Sequence, residues 1–191
     1  MKKLQIALTG ALLISATPAL AHTGPLAHSS VLAGFSHPLT GLDHLLAMLA
    51  VGIWAAMQQG KQQLAVPAVF LALLLAGFVS ALNGVQLPLV EGTIASSVLV
   101  MGLLIAGMAR LPATLSLPMV GLFALSHGFA HGSELGSASA LTFAAGFIVS
   151  SLTLHLVGGT LSTRLLSKVP TLTRIAGAAM ALTGAGLLTS L

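Results

Sequence analysis

Long apolar segments separated by short breaks are the dominant pattern along this 191-residue chain. Each segment has about the 17–25 residues that a bilayer-crossing helix needs, and each break contains glycine, proline or a charged residue. Continuous apolar runs such as residues 70–78 lack the alternation of barrel strands, and in lipid all backbone polar groups must pair internally. The pattern predicts an all-α, polytopic membrane bundle of six helices, at approximately 37–58, 62–82, 90–109, 115–134, 139–161 and 171–190.

The composition agrees with lipid as the main solvent of the chain. It is 56% hydrophobic and 5% charged, whereas soluble domains carry roughly 25% charged residues. There is no cysteine, which excludes disulfides and thiolate metal sites. The basic residues form no patch, so nucleic acid is not an expected partner. We expect one membrane domain, covering residues 22–191.

The first 21 residues have a different pattern. Lys2 and Lys3 precede a short apolar run, residues 4–14, and Thr17–Ala21 has the small residues of a cleavage site. This arrangement is typical of a secretory signal peptide. Because the run is shorter than the roughly 20 residues that span a bilayer, cleavage is favoured over an uncleaved first helix. The mature chain would then begin at His22, outside the cytoplasm.

The positive charges give an independent indication of orientation. With residue 22 outside, the loops after the first, third and fifth spans lie in the cytoplasm, and they hold all basic residues of the expected mature chain: Lys61, Arg110, Arg164, Lys168 and Arg174. The external loops, near 83–90 and 135–138, hold none. This is the distribution that the positive-inside rule describes. We therefore expect a protein of the bacterial inner membrane with both mature termini on the periplasmic side.

Ionisable residues inside the spans are the candidate chemistry, because each costs roughly 2.5–3.5 kcal/mol on insertion scales. The first group, His37-x5-Asp43-His44, enters the first span from outside. Pro38 suits the first turn of that helix. His37 would lie at the mouth, with Asp43 and His44 about 9–10 Å deeper. His37 and His44 are seven residues apart and are expected on one helix face.

A second group lies at the external end of the fourth span. Spacings of four and three residues place His127, His131 and Glu134 on one stripe. Glu134 would lie at the mouth and His127 roughly 10 Å below it, so the two spans offer side chains at two matching depths. Gly128 and Gly132 flank the histidines and would permit close approach of a neighbouring helix or an ion.

Together these side chains predict a divalent metal site that opens outward, formed by His37, Asp43, His44, His127, His131 and Glu134. Imidazole and carboxylate suit Ni²⁺, Co²⁺ or Zn²⁺, whereas Cu(I) prefers thiols. The alternative is that the histidines only satisfy hydrogen bonds between helices. Weaker candidate ligands are His22 and His28 in the expected external tail, Glu91 at the start of the third span, and His155 in the cytoplasmic half of the fifth. A mobile tail, or a favourable charge at a helix N-terminus in the case of Glu91, explains the first three equally well.

Both motifs resemble those of a known family. The segment His37-x5-Asp43-His44-Leu-Leu-Ala-Met-Leu-Ala-Val-Gly and the segment Phe123-Ala-Leu-Ser-His127-Gly-x-Ala-His131-Gly-x-Glu134 are similar to the two signatures of the HupE/UreJ family. The resemblance implies a secondary permease that takes up Ni²⁺, or Co²⁺, in support of hydrogenase or urease, with the matching His, Asp and Glu residues taking part in transport. No permanently bound cofactor is expected. The expected partners are the divalent ion, the lipid bilayer and, in a homo-oligomer, further copies of the chain.

Two other functions stay open. His127 and His131 are spaced like the two histidines of a helical zinc site, so an intramembrane metal-dependent hydrolase is the main alternative. Gly128 departs from the His-Glu-x-x-His pattern of such enzymes. An accessory scaffold that hands metal to a partner is the third possibility. The sequence does not distinguish among Ni²⁺, Co²⁺ and Zn²⁺, since imidazole–carboxylate sites bind all three.

Overall fold

Helices account for all regular secondary structure in the computed structural model, which describes residues 30–191. Within that range the helices are α1 (Ser30–Thr40), α2 (Leu42–Met57), α3 (Gln62–Leu82), α4 (Val90–Ala106), α5 (Ala113–Ser133), α6 (Ala140–Arg164) and α7 (Pro170–Thr189), with a 3₁₀ turn at Leu166–Lys168. The predicted all-α class is thereby confirmed. The expected signal peptide, His22 and His28 lie outside the described residues.

Several of these helices have the length and apolar character of membrane spans. Four of the described helices qualify on their own, namely α3, α5, α7 and α6 with the turn that follows it. The consecutive pair α1 and α2 makes a fifth if it is one bent span, and α4 is a shorter apolar helix. Each of the six predicted spans therefore corresponds to a helix or a helix pair, and length and composition alone support four or five of them.

The first predicted span is not one continuous helix. The chain bends by 86° between α1 and α2, at Gly41, whose backbone is extended with φ −88° and ψ 121°. Pro38 lies near the C-terminal end of α1, not in a first helical turn. The prediction that His37 and His44 share a face of one helix is therefore wrong, and the depth difference calculated along that helix does not apply.

Two local features explain the break. Glycine is a poor helix former, and a side chain at Gly41 would crowd the carboxylate of Asp43, 2.8 Å from the position of its Cβ. That carboxylate accepts a hydrogen bond from the backbone N–H of His44 at 2.7 Å. Since the first N–H groups of a helix have no partner within the helix, Asp43 stabilises the start of α2.

The helices pack most closely in three pairs: α3 with α5, α4 with α7, and the α1–α2 segment with α6. Glycines make the contacts. A methyl group on Gly128 would overlap the backbone of Leu74, and one on Gly77 would overlap the backbone of Leu125. Close backbone approach favours helix association in lipid, where the hydrophobic effect between helices is absent. Gly128 and Gly132, which flank the histidines of α5, thus allow the close approach of a helix, α3.

The order of the glycine contacts gives the direction of each pair. Residue numbers rise together between α3 and α5, and between α1–α2 and α6, so these pairs are parallel. Between α4 and α7 one number rises as the other falls, so that pair is antiparallel. If successive spans cross the membrane in alternating directions, the same two pairs are parallel and the same third pair is antiparallel.

The positive charges of residues 30–191 lie at one end of the bundle. The indole Nε1 of Trp54 donates to the carbonyl O of Ala109 at 2.9 Å, and Nε of Arg110 donates to the carbonyl O of Met57 at 2.6 Å. A cavity of about 460 Å³ at this end is lined by residues from the ends of α2 and α6, from the connection after α4 and from the start of α7. The connections that meet here hold, or border on, Lys61, Arg110, Arg164, Lys168 and Arg174.

We expect Gly128→Ala to destabilise the bundle, because its Cβ must push α3 away from α5 at the backbone of Leu74. Overpacking of this kind costs about 1–3 kcal/mol. Gly186→Ala is the matched control, since a Cβ there meets no atom within 4 Å. Thermal midpoints of the detergent-solubilised variants would be compared by size-exclusion after heating. Equal midpoints for the two variants would contradict close α3–α5 packing.

Candidate metal site

Four histidine rings from three helices form one cluster. His131 of α5 lies 4.8 Å, between ring centroids, from both His37 of α1 and His44 of α2. His44 lies 4.7 Å from His127 of α5. The bend between α1 and α2 allows both of their histidines to contact α5, with His37 and His44 only 6.2 Å apart. The structure therefore brings together the histidines of the two sequence motifs.

The cluster runs from the surface into the interior. Glu134 is exposed, His37 is half-buried and His44 is buried. His127 and His131 are 0% exposed. The residues that the sequence places nearest the mouth are thus the accessible ones, and the positively charged end of the bundle lies at the opposite ends of α2 and α5.

Asp43 fixes the orientation of the His44 ring. Its Oδ1 lies 3.0 Å from His44 Nδ1, in addition to the bond from the backbone N–H. An ionised carboxylate only accepts hydrogen bonds, so Nδ1 carries the proton, and in the neutral ring Nε2 carries a lone pair. Nε2 is buried without a hydrogen-bond partner. A carboxylate on the far nitrogen is the usual arrangement around a metal-binding histidine.

Ser97 of α4 has the same effect on His127, although it lies in neither sequence motif and was not predicted. Its hydroxyl donates to the carbonyl O of Ile94 at 2.6 Å and lies 3.0 Å from His127 Nε2. Because a hydroxyl has a single hydrogen to donate, Ser97 accepts from Nε2–H, and His127 Nδ1 is left with a lone pair. Nδ1 is also buried without a partner. Nothing in the spacing of residues distinguishes Ser97 from the adjacent Ser96 as a partner of His127.

His131 is held by an aromatic ring instead of a hydrogen bond. It stacks on Phe147 of α6, with ring centroids 4.8 Å apart and planes 10° apart. Both of its ring nitrogens are buried without a hydrogen-bond partner. Since a neutral imidazole has one unprotonated nitrogen, His131 also has a lone pair available inside the cluster.

His37 and Glu134 form the outer pair. His37 Nε2 lies 2.9 Å from Glu134 Oε2 and donates a hydrogen bond to it. Glu134 follows the last residue of α5, and this hydrogen bond lowers the pKa of its carboxyl below the usual value, so it is ionised at neutral pH. Burial opposes the shift but is the smaller effect.

The two weaker candidates within the described residues lie on either side of the cluster. Glu91, exposed at the start of α4, is close enough to the carboxylates of Asp43 and Glu134 for their charges to interact. His155 is buried on α6, where its ring contacts Phe70 and none of the four clustered histidines. The structure thus places Glu91 at the outer end of the cluster and His155 apart from it.

The donors do not form a closed coordination shell. Among residues 30–191, no three histidine, aspartate or glutamate side chains are arranged so that they could hold one ion together. The site is instead a series of neighbouring lone pairs and carboxylates that starts at Glu134 and ends at His127.

Comparisons with known proteins agree with the resemblance that the motifs carry. The family model described as HupE / UreJ protein matches residues 10–187. Protein HupE of Rhizobium leguminosarum bv. viciae is 42% identical over 184 residues, which cover 95% of this chain and 96% of that protein. No solved structure matches the chain.

Replacing Ser97 by alanine should change the protonation of His127, because the acceptor for Nε2–H is lost. In wild-type protein labelled with ¹⁵N-histidine, we expect the His127 ring to be locked with its proton on Nε2. In Ser97→Ala that signal should shift toward a tautomer mixture, with a stability loss of about 1–3 kcal/mol from the unpaired N–H. Ser96→Ala serves as the control and should leave the spectrum unchanged. Wild-type protein in which the His127 ring carries its proton on Nδ1 would overturn the assignment.

Proposed function

The chain belongs to the HupE/UreJ family of hydrogenase and urease accessory membrane proteins, and on this premise we propose that it is a secondary permease for Ni²⁺, or Co²⁺, that acts without ATP. The ion would be taken up through the histidine cluster and would supply the maturation of hydrogenase or urease.

The observation that carries the proposal is the pair of buried lone pairs on His44 and His127. Their rings lie 4.7 Å apart, and in the neutral rings the partners of the opposite nitrogens leave the lone pairs on Nε2 of His44 and Nδ1 of His127. Neutral imidazoles replace the water of a borderline divalent ion. Asp43, in contact with His44, offsets part of the positive charge.

The order of burial supports a stepwise path. The exposed Glu134 carboxylate would attract the ion from water, and the adjacent His37 imidazole would begin to replace its water molecules. His131 lies within 4.8 Å of both His37 and His44, so it would pass the ion to the inner pair. A chain of partial sites suits a permease, because a closed three- or four-ligand site would retain its ion.

Charge distribution supports inward transport. The site and the positively charged end lie at opposite ends of α2 and α5, and under the positive-inside rule the site then opens to the periplasm. We propose the bacterial inner membrane as the location, with both mature termini outside. At 100 mV, negative inside, a dication gains about 4.6 kcal/mol on crossing, twice the value per unit charge.

The direct test is Ni²⁺ uptake into proteoliposomes that hold the purified chain and a metal-sensing dye. We expect saturable uptake by the wild type, with Co²⁺ competing. Asp43→Asn keeps the shape of the side chain but removes the charge that orients His44, and loss of such a partner costs roughly 10–100-fold in metal affinity or activity. His131→Ala should also reduce uptake at least tenfold, because it interrupts the path.

Ser133→Ala is the matched control beside Glu134, since its exposed hydroxyl bonds only to the carbonyl O of Phe129 in its own helix. It should transport at the wild-type rate. Unchanged uptake in both Asp43→Asn and His131→Ala would exclude the cluster as the route. Folded protein that shows no flux but retains one tightly bound ion would favour the hydrolase alternative, and the absence of both would favour the scaffold.

A further inference from the structure

His155 is a buried histidine that lies outside the cluster, and the proposed outer site assigns it no role. His155 of α6 is 4% exposed, and neither of its ring nitrogens has a hydrogen-bond partner. A buried polar group without a partner is costly and calls for a specific reason. A histidine that only joined two helices would hydrogen-bond across their interface, and His155 makes no such bond.

Two other buried polar groups near His155 on α6 also lack hydrogen-bond partners. Ser151 lies one turn earlier on the same face of α6, and Ser150 precedes it. Both are buried, at 0% and 1% exposure, and neither hydroxyl has a hydrogen-bond partner. One stretch of α6 therefore presents an imidazole and two hydroxyls to the interior, with no protein group to satisfy them.

The position of His155 is deeper than that of the cluster. Phe147 of α6 stacks on His131, and His155 follows Phe147 along the same helix by about 12 Å. The backbone of α2 shows the same relation, because Gly52, two helical turns beyond His44, packs against the carbonyl of His155. His155 thus lies between the cluster and the positively charged end.

Phe70 of α3 contacts a histidine of each region. Its ring centroid lies 5.9 Å from that of His127 and 5.2 Å from that of His155. Phe70 is 1% exposed, so its buried ring is packed against both imidazoles.

We propose that His155, with Ser151, forms a second, inner binding site for the transported divalent ion, and that Phe70 is the partition between this site and the outer cluster. The inference rests on the proposed function, since it assigns the step that follows His127 on the same path. Imidazole and hydroxyl donors without a carboxylate would bind a dication weakly, which suits release toward the cytoplasm.

The first test separates binding from transport, with Ni²⁺ alone as the probe and the full chain in proteoliposomes. His155→Ala should lower Ni²⁺ flux at least tenfold, while Ni²⁺ binding to the outer cluster, measured by equilibrium dialysis, and the thermal midpoint stay within twofold and a few degrees of wild type. A His155→Ala variant that transports at the wild-type rate would overturn the inner site.

The second test uses the absence of cysteine from the chain. His155→Cys introduces a single thiol, a soft ligand that favours Cd²⁺. We expect this variant to keep part of its Ni²⁺ flux and to be inhibited by Cd²⁺ at concentrations that do not affect the wild type. Leu156→Cys, on the exposed side of α6, is the control and should stay insensitive. A purely structural role for His155 predicts no difference between the two cysteine variants.

The two proposals fail in different ways. Wild-type protein without any Ni²⁺ flux would overturn the proposed function and the inner site together. Wild-type flux that depends on Asp43 and His131 but not on His155, with Cd²⁺ insensitivity of His155→Cys, would overturn the inner site alone.

Discussion

The cost of burying imidazoles inside a lipid-embedded bundle is the constraint on which the site depends. A ring with both nitrogens free to exchange protons has no fixed binding direction, and a ring with both nitrogens paired has no lone pair left. At His44 and His127 the structure pairs one nitrogen, through Asp43 and through Ser97. The opposite nitrogens are left as oriented acceptors in the buried interior, where the low local dielectric strengthens interaction with a cation.

Close backbone packing is what allows these side chains to meet. The glycines of α5 bring α3 against the histidine-bearing helix, and with it Phe70. The break at Gly41 turns α1 away from the direction of α2, so that His37 and His44 reach the same partner, His131. The break at Gly41, which interrupts the first span, therefore brings together donors from three helices.

Much of this could be predicted from the sequence, because lipid imposes strong rules on it. The lengths of the apolar segments predicted the helices, and the positions of the basic residues predicted which ends of the helices lie together. The spacing of residues on α5 predicted that His127 and His131 share one stripe. The bend could not be predicted, since Pro38 fits the first turn of a straight span as well as the end of a short helix. Ser97 and Phe70 act through neighbours on other helices, and periodicity within one helix carries no information about such contacts.

Transport by this path depends on the binding of a divalent ion between His44 and His127. The most direct test of this binding is an anomalous difference map, recorded at the nickel absorption edge, from crystals of the full chain soaked in Ni²⁺. We expect a peak within coordination distance of His44 Nε2 and His127 Nδ1, with the Asp43 carboxylate still hydrogen-bonded to Nδ1 of His44. Strong peaks elsewhere on the protein, with none in the histidine cluster, would contradict it.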